Sequence, residues 1–152
     1  MNHQQRIKQA LLSLEGLSLG DSFGQSFFIE QSKAIQLING RVLPKKPWLY
    51  TDDTLMAISI VETLNKYESI EIDTLVRAFA RRYIEQPNRG YGSTAAKILR
   101  EISEGVPWKQ ALTNAFSGMG SMGNGGAMRA APHKSIFLRR LRKSYPRSKS
   151  LL

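Results

Sequence analysis

The chain has 152 residues, 41% of them apolar and 22% charged, which fits one globular domain of ordinary size and excludes a disordered chain. There are no cysteines, so disulfides, thiolate zinc sites and a cysteine nucleophile are excluded, and a cytoplasmic location is expected. The net charge of +10 is unevenly spread: residues 133–152 carry seven cations and no acid, and every acid lies at or before Glu104.

In chain order, Ile7, Leu11, Leu12 and Leu14 suggest a first helix. Arg6 and Lys8 ahead of that short apolar stretch resemble a signal peptide only superficially. Glu15 interrupts the stretch, and no apolar run approaches the ~20 residues of a membrane span. Gly20-Asp21-Ser22-Phe23-Gly24 reads as a loop, with Asp21 in an Asx turn. Gln36–Ile38 and Arg41–Leu43 look extended, and Asn39-Gly40 between them is a hairpin signal. One weak hairpin does not make a sheet, so the fold class is all-α.

Residues 53–66 are apolar nearly all round, which predicts a buried helix with neighbours on every side. The spacing of Ile72, Leu75, Val76, Phe79, Ala80, Tyr83 and Ile84 predicts a helix over 72–85. Ser93 is placed to cap a helix over 94–103, and Pro107 to open another that ends near Phe116. Residues 117–132 hold five of the twelve glycines, a density that calls for positive φ or close backbone approach.

Thr51-Asp52-Asp53-Thr54 stands at the mouth of the buried helix. Such residues cap a helix and favour the positive end of its dipole. They are also the hard oxygen donors that suit Mg²⁺, Mn²⁺ or Ca²⁺, and the segment alone leaves both readings open. Gly118-Met-Gly120-Ser-Met-Gly123 spells the dinucleotide fingerprint, but no strand precedes it and no acid follows, so a Rossmann site is rejected. The glycines either cradle a ribose or phosphate or allow two helices to cross. Gly90-Tyr91-Gly92-Ser93 is either a tight turn or a stacking platform for a base or sugar. His3 and His133 are solitary and are expected to be exposed.

In combination these segments carry more. Gly-Asp-Ser-Phe-Gly, Tyr-Thr-Asp-Asp-Thr, Gly-Tyr-Gly-Ser and Gly-Asn-Gly-Gly-Ala-Met-Arg-Ala-Ala-Pro, in that order over residues 20–132, resemble the ADP-ribosylglycohydrolases. The resemblance implies an all-helical, metal-dependent hydrolase of ADP-ribosyl linkages with two magnesium ions, or manganese in some members. It implies Thr51, Asp52 and Asp53 as metal ligands, Asp52, Asp53 and Glu30 as catalytic residues, and Asp21, Tyr91, Gly92, Gly123, Asn124, Gly125 and Met128 as substrate-binding residues. It implies an ADP-ribosylated protein or small ADP-ribosyl compound as substrate.

The family's later Asp-x-Asp-Thr motif has no counterpart, because no aspartate follows Asp73. The expectation is a family-like body over 1–132 and a basic, non-native or disordered tail over 133–152, produced by a truncated or shifted reading frame, with impaired activity. Two alternatives remain: a non-catalytic ADP-ribose binder, and a module that binds nucleic acid through the tail.

Overall fold

The computed structural model describes residues 2–116, 119 and 123–132. Every regular element described is helical: α1 (His3–Gln25), α2 (Gln31–Asn39), α3 (Asp52–Tyr67), α4 (Ile72–Glu85), α5 (Ser93–Ser103), α6 (Trp108–Phe116) and the short α7 (Gly125–Met128). The all-α expectation holds for these residues. The tail over 133–152 lies outside the described residues, as do most of 117–122 and His133.

Helix α3 is the central element. Thr54, Leu55, Met56, Ala57, Ser59, Ile60, Val61, Thr63 and Leu64 are all buried, as an all-round apolar helix requires. It packs against α1, α4 and α7, and α5 joins α4 to α6. The core runs through Ala10, Met56, Ile60, Val61, Leu64, Phe79, Tyr83 and Leu99, with Tyr91 and Met128 packed against its edge. Polar links reinforce the α3–α4 contact: Arg82 donates from Nε to Ser59 Oγ at 2.9 Å and pairs through Nη2 with Glu62 at 2.6 Å.

Two local expectations are corrected. The segment 20–24 is no loop, because α1 continues to Gln25 and Asp21 sits inside it. Two glycines in a helix cost about 1 kcal/mol each relative to alanine. That cost is offset by bonds distant in sequence, from Asp21 to the start of α3. The supposed hairpin at 36–43 is also absent. Residues 31–39 are helical, and Asn39-Gly40 ends that helix. Val42 N–H donates to Leu37 C=O and Arg41 N–H to Ile38 C=O, at 2.9 and 3.1 Å. Arg41, at φ 50, takes the left-handed position of this Schellman-type cap. Ala34, Ile35, Leu37 and Ile38 fit a helical spacing as well as an extended one, and a run so short does not discriminate.

The remaining differences are small. Gly92, not Ser93, is the N-cap of α5, through its carbonyl bond to Ala96 N–H at 2.9 Å. His3 is half-buried, with Nε2 3.2 Å from the Asn65 carbonyl. No helix among the described residues is long and apolar enough to cross a membrane.

Burial separates the leucines of this core sharply. Leu55 is 1% exposed and Leu12 is 52% exposed. Leu55→Ala is expected to lower unfolding free energy by about 2–5 kcal/mol, and Leu12→Ala by no more than about 0.5 kcal/mol, in urea titrations followed by circular dichroism.

Candidate metal and substrate site

The site begins with how α3 starts. Thr51 is its N-cap, and the Thr51 hydroxyl accepts from Asp53 N–H at 3.3 Å. Asp21 of α1 secures the same turn. Its Oδ1 accepts from Thr51 Oγ1 at 2.7 Å. Its Oδ2 accepts from Thr51 N–H at 2.8 Å, Thr54 N–H at 3.2 Å and Thr54 Oγ1 at 2.6 Å. A carboxylate therefore satisfies orphan donors of the helix entrance from another element, and places negative charge at the positive end of the α3 dipole. The expected Asx turn is replaced by this tertiary cap.

The segment before α5 meets the same turn. Asp52 N–H donates to the Arg89 carbonyl at 2.6 Å. Arg89 stacks on Tyr50 with Cζ 4.4 Å from the ring centre. Gly90 follows at φ +85, a conformation that side-chain-bearing residues rarely adopt, and a Cβ there would stand 3.6 Å from Asp52 Oδ1. Tyr91 is thereby brought beside Asp52, edge-on to Tyr83 with ring centres 5.1 Å apart. Its buried hydroxyl finds no hydrogen-bond partner among the described residues.

Charge is concentrated here. Burial first, then the Asp21 carboxylate, pushes the Asp52 pKa up against the opposing pull of its backbone hydrogen bond, Thr51 and Arg129. Burial, then Asp52 and Asp21, raises Asp53, with Arg129 opposing. Burial and the charge of Asp52 push the Tyr91 hydroxyl up to about 12. Burial lowers the Arg129 pKa, while both aspartates act to restore it.

The expected site residues thus divide. Asp21, Thr51, Asp52, Asp53 and Tyr91 converge on the α3 entrance, and Gly92 continues from Tyr91 as the α5 cap. Met128, at the end of α7, packs on the core beside α3. Asn124 caps α7 through its backbone carbonyl, bonded to Ala127 and Met128 N–H, and its side chain is exposed. Gly123 is exposed and Gly125 half-buried. Glu30 stands apart: exposed ahead of α2, it bonds the Ser32 hydroxyl and pairs with Lys33 at 3.5 Å. Sequence reasoning missed Thr54 and Arg129. Both lay inside quoted motifs, but only contacts distant in sequence give them a role.

Asp52, Asp53 and Thr51 are hard oxygen donors of the kind that Mg²⁺ or Mn²⁺ takes. Among the described residues, no group of three acidic or histidine side chains gathers to hold an ion. Asp21 is close in charge, but its oxygens already take four hydrogen bonds. The donor chemistry fits a divalent ion, and the number of donors supplies part of its shell.

A sequence model of the ADP-ribosylglycohydrolases matches residues 1–146. The chain belongs to this family. Among relatives, the ADP-ribosylhydrolase ARH3 of Xenopus tropicalis is 34% identical over 130 residues, 77% of this chain and 36% of that protein. That of Danio rerio is 32% identical over 139 residues, 82% of this chain and 36% of its own length. The human protein of the same name is 36% identical over 85 residues, 54% of this chain and 23% of that protein. The chain thus spans about a third of the length of the Xenopus and Danio relatives.

Two outcomes test this geometry. Asp21→Ala strips the acceptor from four donors at a helix entrance and is expected to cost about 2–3 kcal/mol of stability in urea titration. The raised pKa values of Asp52 and Asp53 mean that the metal-free fold holds their protons more tightly than the unfolded chain does. Their contribution to stability is therefore best at low pH and declines as pH rises through the folded-state values. Asp52→Asn and Asp53→Asn are each expected to raise the melting temperature at neutral pH in EDTA. The gain should fade near pH ~4, where the unfolded carboxylates are themselves protonated.

Proposed function

We propose that this chain provides the aspartate-pair side of a divalent-metal centre that acts on ADP-ribosyl linkages. The supporting observation is the pair itself: two adjacent carboxylates, both penalised by burial, held at a helix entrance by a third. Thr51 with Asp21 already caps the helix, so Asp52 and Asp53 add like charge to an entrance whose donors are already met. Family membership and the ARH3 relatives give the reaction class.

In this reading Thr51, Asp52 and Asp53 hold Mg²⁺ or Mn²⁺, with Asp21 acting through Thr51 as a positioning residue. A bound divalent ion supplies Lewis acidity and an oriented water for attack at the anomeric carbon. Tyr91 offers a hydroxyl donor, free of protein partners among the described residues, to a ribose oxygen. Gly92, Gly123, Asn124, Gly125 and Met128 line the ADP-ribose. Glu30, just ahead of α2 and paired with Lys33 in this structure, would have to leave that pair to position substrate or water, as the family resemblance implies. Two carboxylates and a hydroxyl are a lean donor set for an ion that dehydrates reluctantly, so this chain by itself binds the metal weakly and turns over slowly.

Calorimetry with ADP-ribose tests the reading. Binding is expected to strengthen on adding Mg²⁺, and that gain should vanish in Asp52→Asn and Asp53→Asn. ADP-ribose binding indifferent both to Mg²⁺ and to the two substitutions sinks it. Tyr91→Phe should weaken ADP-ribose binding while raising stability by about 1 kcal/mol, since it removes a buried hydroxyl that lacks a partner among the described residues. Release of ADP-ribose from a modified protein should be slow and abolished by EDTA.

A further inference from the structure

Arg129 follows α7 and turns back onto α3. Its Nη1 lies 2.9 Å from Met56 Sδ, and its guanidinium carbon stands 4.9 Å from the centre of the Phe79 ring. Met56 is three residues beyond Asp53 and four beyond Asp52, so it shares their face of α3 one turn further in. A guanidinium anchored on that sulfur is therefore fixed over the inner end of the aspartate face. Gly125 lies beside it: a Cβ there would stand 3.9 Å from Arg129 Nη2, an ordinary contact. Neither partner is an anion. A thioether and an aromatic face orient a guanidinium but leave most of its charge to be balanced elsewhere.

From this placement we propose that Arg129 is the built-in counter-cation of the Asp52–Asp53 pair, a positioning residue whose charge holds down the pair's affinity for divalent cations. The inference rests on the proposed reading of the two aspartates as cation ligands. Arg129 and both aspartates attract one another through the partly buried space at the α3 entrance. That attraction stabilises the metal-free pair, and the same charge repels an incoming divalent ion. The planar group docked between Met56 and Phe79 cannot simply swing into solvent without giving up both contacts. The glycine-rich segment is thereby tied to the metal site through a charge as well as through Met128.

The test uses the full 152-residue chain with Mn²⁺ as probe, free Mn²⁺ being followed by electron paramagnetic resonance. Arg129→Gln keeps a donor for the Met56 sulfur but removes the charge, and should bind Mn²⁺ about tenfold more tightly than the unaltered chain. Arg129→Lys keeps the charge and should stay within about twofold. The readout without metal is thermal unfolding in EDTA. Arg129→Gln should lower the melting temperature of the unaltered chain, and lower it less when Asp52→Asn and Asp53→Asn are already present. Unchanged or weaker Mn²⁺ binding by Arg129→Gln, while the aspartate substitutions abolish binding, overturns the proposal and leaves the metal reading standing. An equal drop in melting temperature in both backgrounds also overturns it. Absent Mn²⁺ binding in every variant removes the metal reading and overturns the claim that Arg129 holds down cation affinity, whatever the melting temperatures do.

Discussion

Asp21 is the residue on which the site depends. Its two oxygens accept four hydrogen bonds from Thr51 and Thr54, so the last turn of α1 and the first turn of α3 are one polar unit. The link fixes where α3 begins, and with it the orientation of Asp52 and Asp53. It also explains why α1 survives its glycines: Gly20 and Gly24 flank a carboxylate whose bonds exist only if the backbone stays helical through that turn. Asp52 and Asp53 are the first two residues of α3, about 100° apart around its axis, with Thr51 just outside as the cap.

The electrostatics of this corner run against stability. Burial and like charge both raise Asp52 and Asp53, and among the described residues neither acid has an ion pair of its own. The Tyr91 hydroxyl is pushed the same way and has no hydrogen-bond partner among the described residues. Surrounding helices show the contrary habit: Glu62 is matched by Arg81 and Arg82, and Glu101 by Lys97. Two half-buried acids crowded against a third, while Glu62 and Glu101 are matched by cations, form the pattern of perturbed titratable groups that marks functional sites.

How much was legible in the sequence depends on the range of the interactions involved. Helix α4 could be read from its period, and α3 from its all-round apolarity, because burial writes itself into spacing. Residues 20–24 and α2 read locally as a loop and a hairpin, since glycine and Asn-Gly are local signals that are outweighed here by Asp21's distant bonds and by a cap with Arg41 in the left-handed position. The aspartate pair and the Gly-Tyr-Gly turn were legible as motifs. Their mutual placement was not, because it runs through the Arg89 carbonyl, a backbone atom that no residue pattern reports. Arg129 was invisible for the same reason: its partners, Met56 and Phe79, are core residues by every local criterion.

The apparent shortage of metal ligands is partly a consequence of this construction. Asp21 is the obvious third carboxylate, and recruiting it would complete more of a divalent ion's shell. Each oxygen turned toward an ion would have to share or surrender the donors of Thr51 and Thr54. Those donors sit at a partly buried helix end, where unpaired N–H and O–H groups are costly. The α3 cap and a third metal ligand are therefore competing uses of one side chain. The four bonds show that the fold takes Asp21 for the cap, and on the proposed reading Asp52 and Asp53 are then the carboxylates left to meet an ion.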